Sequence, residues 1–98
     1  MKREFLMDAI EFEWDPEKEE SNIRKHGIDF AAACQVFRDA DRLEFCDGEH
    51  SEIGETRYIT IGYVLDVLTV VYTERGDRLR IISARRATRL ERMMYYGD

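Results

Sequence analysis

The stretch RYITIGYVLDVLTVVYTERGDRLRIIS, residues 57–83, decides the fold of this protein. It contains three runs rich in Ile, Val, Thr and Tyr, at residues 57–63, 67–73 and 79–83. Residues of these types favour strands, and the short connections favour hairpins, the second of which turns at Gly76. The stretch therefore predicts an antiparallel meander of three strands.

The residues at the start of the chain predict a strand followed by a helix. Residues 11–14 alternate polar and apolar side chains, as a short strand does. Asp15 then supplies a helix N-cap, and Pro16 fits the first helical position. The helix should run to about residue 26, where Gly27 fits a left-handed C-cap. Since it is polar almost all round, we expect it on the surface.

Further elements are predicted on both sides of the meander. Asp29 caps a second helix, and residues 43–46 form a short strand before a polar, mobile loop at residues 47–55. The second helix has one apolar face, formed by Phe30, Ala33, Cys34 and Phe37. A last helix begins at Ser83 or Ala84 and ends near residue 96. Its apolar face holds Ala87, Leu90 and Met94, and its basic face holds Arg85, Arg89 and Arg92.

The order of these elements predicts an α+β fold. We expect a small antiparallel sheet of three to five strands, packed with two N-terminal helices and one C-terminal helix. If the helices cover one face of the sheet, the other face is open, and arginines at its margin suit a nucleic-acid backbone. A chain of 98 residues is expected to form one domain, residues 1–98.

Composition narrows the classes of function. With 44% hydrophobic and 37% charged residues, the chain has the composition of a soluble folded protein. Its longest apolar run, around residues 64–72, is too short to cross a membrane, and residues 1–8 do not resemble a signal peptide, so we expect a cytoplasmic protein. Cys34 and Cys46 lack metal-ligand spacing, and the sequence predicts no metal site and no cofactor.

The charge is distributed unevenly along the chain. Residues 1–55 carry 16 Asp and Glu against 7 Lys and Arg, a balance of −9. Residues 56–98 carry 5 acidic against 8 basic residues, a balance of +3, and all eight basic residues are arginine. The planar guanidinium suits phosphate and carboxylate, so this half favours an anionic partner or substrate. A solvated charged surface is the alternative interpretation.

The available side chains suit RNA cleavage, because RNA supplies its own nucleophile in the 2′-hydroxyl. An enzyme then needs a general base, an acid and cations on the phosphate. The groups at hand are Lys25, His26, Arg57, Tyr72, Glu74, Arg75, Arg80, Ser83, Arg85 and Arg86. Structural roles stay open: capping of the first helix for Lys25 and His26, cross-strand ion pairs for the arginines of the meander, and buried packing for Tyr72. Arg85 and Arg86 near the start of a helix would oppose its dipole, which hints at function.

Blocks of sequence in this order resemble the BrnT family of type II toxins. They are F-E-W-D-P at residues 12–16, Lys18, Asn22, K-H-G at 25–27, Phe30, V-F-R-D at 36–39, E-T-R at 55–57, I-G at 61–62, V-V-Y-T-E-R at 70–75, R-I-I-S-A-R-R-A at 80–87 and E-R at 91–92. No single block is decisive, but the ordered set covers most of the chain and is highly specific.

The resemblance implies a RelE-like fold and a toxin that cleaves RNA without a metal and blocks translation. It also implies neutralisation by a ribbon-helix-helix antitoxin, in a complex that contacts operator DNA only through the antitoxin. Matching positions assign catalysis to Lys25, His26, Arg57, Arg75 and Arg85, and substrate binding to Arg80, Arg86 and Tyr72. Which residue is base or acid does not follow.

Two departures from the family pattern stand out. Residues 63–66 read Y-V-L-D, where the family often has an arginine and a glycine in the hairpin. Residues 1–10 look like an N-terminal extension, and Met7 is an alternative start. The first departure leaves a second hypothesis open, in which the chain is a catalytically inactive binding module or a decayed toxin acting through protein contacts.

Overall fold

A six-stranded sheet organises the structure, a computed structural model that describes residues 2–97. In chain order the elements are β1 (Arg3–Met7), β2 (Ile10–Trp14), α1 (Pro16–His26), α2 (Phe30–Cys34), a 3-10 turn (Gln35–Arg38), β3 (Leu43–Glu52), β4 (Glu55–Val64), β5 (Asp66–Arg75), β6 (Arg78–Arg86) and α3 (Arg89–Tyr96). The strand order across the sheet is β1-β2-β6-β5-β4-β3. The predicted meander forms its centre as β4, β5 and β6.

The α+β class and the three helices are confirmed, but the predicted sheet was too small and its direction was wrong in one place. It has six strands rather than three to five, and it is mixed, because β2 runs parallel to β6 with Glu11 beside Arg78. The chain leaves β2 through the helices, forms β3, β4 and β5, and returns to the side of β2 only as β6. A sequence pattern does not show which strands pair over such a separation, and here the pairing is parallel.

The residues predicted as an N-terminal extension fold into the sheet as β1, which pairs antiparallel with β2. Asp8 and Ala9 form the turn between them, with φ of 51° and 67°. Hairpin turns of this left-handed kind usually contain glycine or asparagine, and Ala9 is an unusual occupant. The turn therefore lacks the sequence pattern by which such hairpins are found.

The predicted mobile loop at residues 47–55 is also wrong, since β3 continues through it to Glu52. β4 supplies the backbone partners, and a tight turn at Gly54, with φ of 82°, joins the two strands. As the outermost strand, β3 exposes most of its side chains to solvent, and this explains its polar sequence.

The helix termini follow local chemistry, with one correction. Asp15 caps α1 by accepting a hydrogen bond from the Glu17 amide, and Gly27 ends it with φ of 71°. The last helix begins at Arg89, not at Ser83 or Ala84, because β6 stays paired with β5 as far as Arg86. Thr88 then caps α3 in a reciprocal capping box with Glu91.

The core lies between the sheet and the two N-terminal helices. Its largest buried members come from both layers: Phe12, Leu68, Val70, Tyr72 and Ile81 from the sheet, and Phe30, Cys34, Val36 and Phe37 from the helical layer. α3 lies over the opposite face, at the end where β4 passes into β5. The rest of that second face is uncovered, so the expected open face exists in part.

Candidate functional site

Arginines from three strands share the sheet face opposite the core, and we call this set the arginine face: Arg57 of β4, Arg75 of β5, and Arg78, Arg80 and Arg85 of β6. Cross-strand register places them there, because Arg57 pairs with Thr73, Thr73 with Arg80, Arg75 with Arg78, and Thr69 with Arg85. Side chains at paired positions project to the same face. The fold therefore gathers arginines that lie 28 residues apart in sequence.

Carboxylates of the N-terminal hairpin neutralise two of these arginines. Arg78 pairs with Glu4 at 2.8 Å and with Glu11 at 3.0 Å, and Arg80 pairs with Glu13 at 2.7 Å. Glu13 is only 4% exposed. Burial alone would raise the pKa of its carboxyl group, but hydrogen bonds from Arg80 and Lys2 outweigh that effect and hold the pKa below its usual value. Glu13 therefore stays ionised and fixes the position of Arg80.

Arg85 is held by a carboxylate of α3. Its two terminal nitrogens donate to the two oxygens of Glu91, at 2.7 and 3.0 Å. Glu91 also accepts from the Thr69 hydroxyl at 3.0 Å and from the Thr88 amide at 2.8 Å. These bonds, that of Arg85 first, lower the pKa of the Glu91 carboxyl to about 2. Arg85 thus joins β6 to α3, and its planar fork is already occupied.

Arg57 and Arg75 differ from their neighbours, because within residues 2–97 neither has a described carboxylate at ion-pair distance. Arg75 is exposed beside the β5–β6 turn, and Arg57 is half-buried. The Arg57 Nε is buried and lacks a hydrogen-bond acceptor in the described part of the chain. A buried donor in this state is costly, and an anion on the face would satisfy it.

Lys25 and His26 lie in the last turn of α1, both exposed, at a shallow cleft between this helix and β6. Ile82 and Ser83 form the β6 side of the cleft. Ser83 is the cross-strand partner of Val71, and this pair lies next to the pair of Thr73 and Arg80 on the sheet. The cleft is therefore adjacent to the arginine face. The basic side chains of Lys25 and His26 also interact favourably with the carboxyl end of the α1 dipole, which is the structural role that the sequence left open for them.

Asn22 is the residue that fixes α1 against β6. Its amide nitrogen donates to the carbonyls of Ala84 at 2.8 Å and Ile28 at 2.9 Å, and its oxygen accepts from the Ala84 amide at 3.0 Å. β2 pairs with β6 only as far as Arg80, so beyond that point the edge of β6 needs another partner. The side chain of Asn22 supplies it, as a neighbouring strand would.

The structure does not bring the remaining predicted residues to this face. Tyr72 lies in the core on the other side of the sheet, with ring centroids 5.2 Å from Phe37 and 5.5 Å from Tyr58, and its burial raises the pKa of its hydroxyl. Arg86 is cross-strand partner to Leu68 and pairs with Asp66 at 3.4 Å. The dipole argument for Arg85 and Arg86 is wrong as well, because both lie in β6 and not in a helix.

Sequence reasoning missed four residues that shape the site, and one of them is Arg78 of the arginine face. Glu13 and Asn22 stand within the blocks of residues 12–27, but nothing local shows that they bond to β6. Glu91 was detectable, because Thr88-x-x-Glu91 is a capping-box pattern. Recognising it would have placed the start of α3 after Thr88.

Two kinds of feature are absent from the described residues. Among residues 2–97, no group of three His, Cys, Asp or Glu side chains is placed to hold a metal ion. Within the same range, none of the helices has the length and apolar character needed to cross a membrane.

Comparisons with known proteins point to one family. A family model described as ribonuclease toxin, BrnT, of type II toxin-antitoxin system matches residues 14–91. The 1.1 Å crystal structure of the Brucella abortus ribonuclease toxin BrnT is similar to this chain, with a TM-score of 0.60 and 30% sequence identity. The alignment covers 78% of this chain and 94% of that one. No curated protein matches. The arginines of β4, β5 and β6 lie within the matched residues, and β1 precedes them.

Proposed function

Because this chain belongs to the BrnT family of ribonuclease toxins of type II toxin–antitoxin systems, we propose that it cleaves RNA at the arginine face without a metal ion. The observation that supports this site is the convergence of arginines from three strands on one open face. Among them, the Arg57 Nε is a buried donor with no described acceptor. A phosphate oxygen is the natural acceptor for such a group.

The proposed reaction is attack of the 2′-oxygen on the adjacent phosphorus. The proton of the 2′-hydroxyl passes to a base, the bond from phosphorus to the 5′-oxygen breaks, and an acid protonates that oxygen. Negative charge grows on the non-bridging oxygens in the transition state. We assign its stabilisation to Arg57 and Arg75, with Arg80 held in place by Glu13 as a third contact.

We assign proton transfer to residues at the cleft beside the arginine face. His26 supplies an imidazole, the group that enzymes use most often to transfer protons, and Lys25 adds a cation next to it. Both lie at the cleft that Ser83 shares with the arginine face. We therefore propose His26 as the group that moves a proton and Lys25 as a phosphate contact.

The other predicted residues take structural roles in this proposal. Arg85 holds α3 through Glu91, Tyr72 packs in the core, and Arg86 pairs with Asp66. The substrate contacts thus move from the C-terminal arginine run toward β4 and β5.

A type II toxin has an antitoxin as its partner. We propose that this antitoxin is a ribbon-helix-helix protein that forms a hetero-oligomer with the chain and contacts operator DNA for both. We further propose that the toxin acts in the cytoplasm and stops translation by RNA cleavage.

The decisive test is RNA cleavage by the purified chain, with and without EDTA, beside Arg57→Ala and Arg57→Lys. Removing one transition-state donor typically costs about 100- to 1,000-fold in rate, so we expect that loss for Arg57→Ala, partial recovery for Arg57→Lys and no effect of EDTA. Arg24→Ala is the matched control, since it removes the same charge from an exposed pair with Glu20 on α1.

Each part of the proposal has its own contrary result. Unchanged cleavage by Arg57→Ala would remove the arginine face as the site, and loss of cleavage in EDTA would remove metal independence. A His26→Ala variant with the wild-type pH–rate profile would remove His26 as the proton carrier. A folded wild-type chain that cleaves no RNA would favour the inactive binding module instead.

A further inference from the structure

α3 is amphipathic, but its apolar side faces away from the protein. Leu90, Met93, Met94 and Tyr96 are between 43% and 66% exposed, and none of the residues of this helix is buried. A surface helix ordinarily turns its apolar stripe toward the core. We call these four residues, together with Arg89, the α3 surface.

Polar contacts hold α3 in this orientation. Glu91 bonds to Arg85 and Thr69 of the sheet, and Arg92 bonds to Asp66 at 2.6 Å. At the end of the helix, the Tyr95 hydroxyl donates a hydrogen bond to the carboxylate of Asp39, which precedes β3. The inward side is therefore satisfied by ion pairs and hydrogen bonds, and the apolar side has no described contact with the core.

The turn beside the helix enlarges this apolar surface. Asp39 accepts bonds from both the Tyr95 hydroxyl and the Tyr63 amide, and this places the β4–β5 turn next to the end of α3. In that turn Tyr63 is exposed, and Leu65 is 94% exposed with a φ of 59°. A cluster of large exposed apolar side chains of this kind typically marks a protein contact.

Arginines border the α3 surface, although the chain as a whole has a net charge of −6. A shallow recess is lined by Arg89, Arg92, Met93 and Tyr96, and the Arg92 guanidinium lies 5.9 Å from the Tyr96 ring centroid. Arg89 has no described carboxylate at ion-pair distance within residues 2–97. A partner that fits this surface has apolar side chains flanked by carboxylates.

We propose that the antitoxin docks on the α3 surface through an amphipathic helix with acidic flanks, an inference that rests on the proposed function. Apolar side chains spaced along one helix face are the usual means by which such a segment binds. Arg85 and Glu91 link this helix to one end of the arginine face, whereas Arg57 and Arg75 lie toward the other end of β4 and β5.

Two other occupants fit the surface less well. A second copy of this chain would bring a surface bordered by arginines against an identical one, and like charges oppose that arrangement. RNA would satisfy the arginines but would leave the four apolar side chains without a complementary surface.

The test measures binding of the purified protein encoded beside this chain's gene, by calorimetry, to the full chain and its variants. We expect Leu90→Glu to weaken the affinity by at least about 30-fold, as loss of a central apolar anchor does. Leu6→Glu is the matched control, because Leu6 is 68% exposed against 66% for Leu90 and lies on β1 at the far edge of the sheet. It should leave the affinity within about twofold of wild type.

A second variant tests the charge of the partner. Arg89→Glu places an anion at the first residue of α3, where the helix dipole favours it, so folding is preserved. We expect about 10-fold weaker binding and a smaller dependence of affinity on salt.

The outcomes separate this proposal from the proposed function. Affinity unchanged by both Leu90→Glu and Arg89→Glu overturns the α3 surface as the docking site, whatever the RNA cleavage. A wild-type dimer in sedimentation that Leu90→Glu converts to monomer overturns the antitoxin as its occupant, as does a neighbouring gene product that does not bind. Loss of binding by Leu90→Glu in a chain that cleaves no RNA supports the docking site while rejecting the ribonuclease.

Discussion

Replacing Asn22 tests how α1 is fixed to the sheet. The side chain is 6% exposed and makes three hydrogen bonds, two of them to the backbone of Ala84. Asn22→Ala leaves one buried amide and two buried carbonyls without these partners. An unsatisfied buried group costs about 1–3 kcal/mol, with carbonyls at the lower end, so we expect a loss of about 2–4 kcal/mol in the free energy of unfolding.

Asn22→Asp separates lost hydrogen bonding from lost packing, because it keeps the size of the side chain and makes the change in stability depend on pH. The isosteric carboxylate would present an oxygen to the carbonyls of Ile28 and Ala84, where the amide nitrogen donated. Its pKa in the folded state would rise above the unfolded value, because the ionised form is disfavoured there. The folded state then binds the proton more tightly, and the stability deficit of this variant relative to wild type shrinks as pH falls through the raised pKa.

Urea denaturation followed by the fluorescence of Trp14, a core residue, measures both effects. For a domain of this size, about 2–4 kcal/mol corresponds to a decrease in Tm of roughly 8–32 °C. Ser21→Ala is the control on the same helix, and no side-chain hydrogen bond of Ser21 is described within residues 2–97; its stability should change by no more than about 0.5 kcal/mol. A loss below about 1 kcal/mol for Asn22→Ala, or an Asn22→Asp variant whose deficit relative to wild type grows in acid, would refute the reasoning.

Three further perturbations follow from the contacts described above. Glu91→Gln should reduce the free energy of unfolding at pH 7 by about 1–2 kcal/mol after solvent screening. Because the pKa of Glu91 is lower in the folded state than in the unfolded state, acid removes the stability that its carboxylate contributes. Chemical denaturation should therefore show the difference between wild type and variant shrinking as pH falls from about 4.5 toward 2. Glu13→Gln should tighten binding of a 2′-O-methyl RNA by roughly 2- to 10-fold and steepen its salt dependence; filter binding that shows weaker affinity would contradict this. Gly62→Ala should cost about 1–3 kcal/mol in calorimetry, since its Cβ would lie 3.1 Å from the Val36 Cβ, whereas Gly48→Ala, with open space around it, should be nearly neutral.

Local patterns in the sequence predicted the elements whose chemistry is local. The caps at Asp15 and Gly27 bound α1 where they were expected, and the three runs of the meander became β4, β5 and β6. The errors at strand ends have one cause. A strand extends as far as a neighbour offers backbone partners, and β3 and β6 each continue into polar sequence because β4 and β5 lie beside them.

The face of a side chain was unpredictable where both faces of a strand are covered. In β5, Val67, Leu68, Thr69 and Val70 are all buried, so polarity does not alternate along the strand. Tyr72 therefore had no readable direction, and only the sheet register places it in the core. Four arginines of the open face were candidates from the sequence, namely Arg57, Arg75, Arg80 and Arg85, whereas Arg78 was not. Their partners were not readable, because Glu13 and Glu91 approach from elements far away in sequence or beyond a turn.

The parallel pairing of β2 with β6 also explains why an acidic chain gathers arginine near its end. It lays the acidic N-terminal hairpin along β6, so that Glu4, Glu11 and Glu13 meet Arg78 and Arg80. Further along the chain, Arg85 pairs with Glu91 of α3, and Arg86 and Arg92 pair with Asp66 at the start of β5. Most of the C-terminal arginine run thus stabilises the fold, and on the arginine face the cations left without a described carboxylate are Arg57 of β4 and Arg75 of β5. Since phosphate competes best where no carboxylate is already bound, RNA should be drawn to that half of the arginine face.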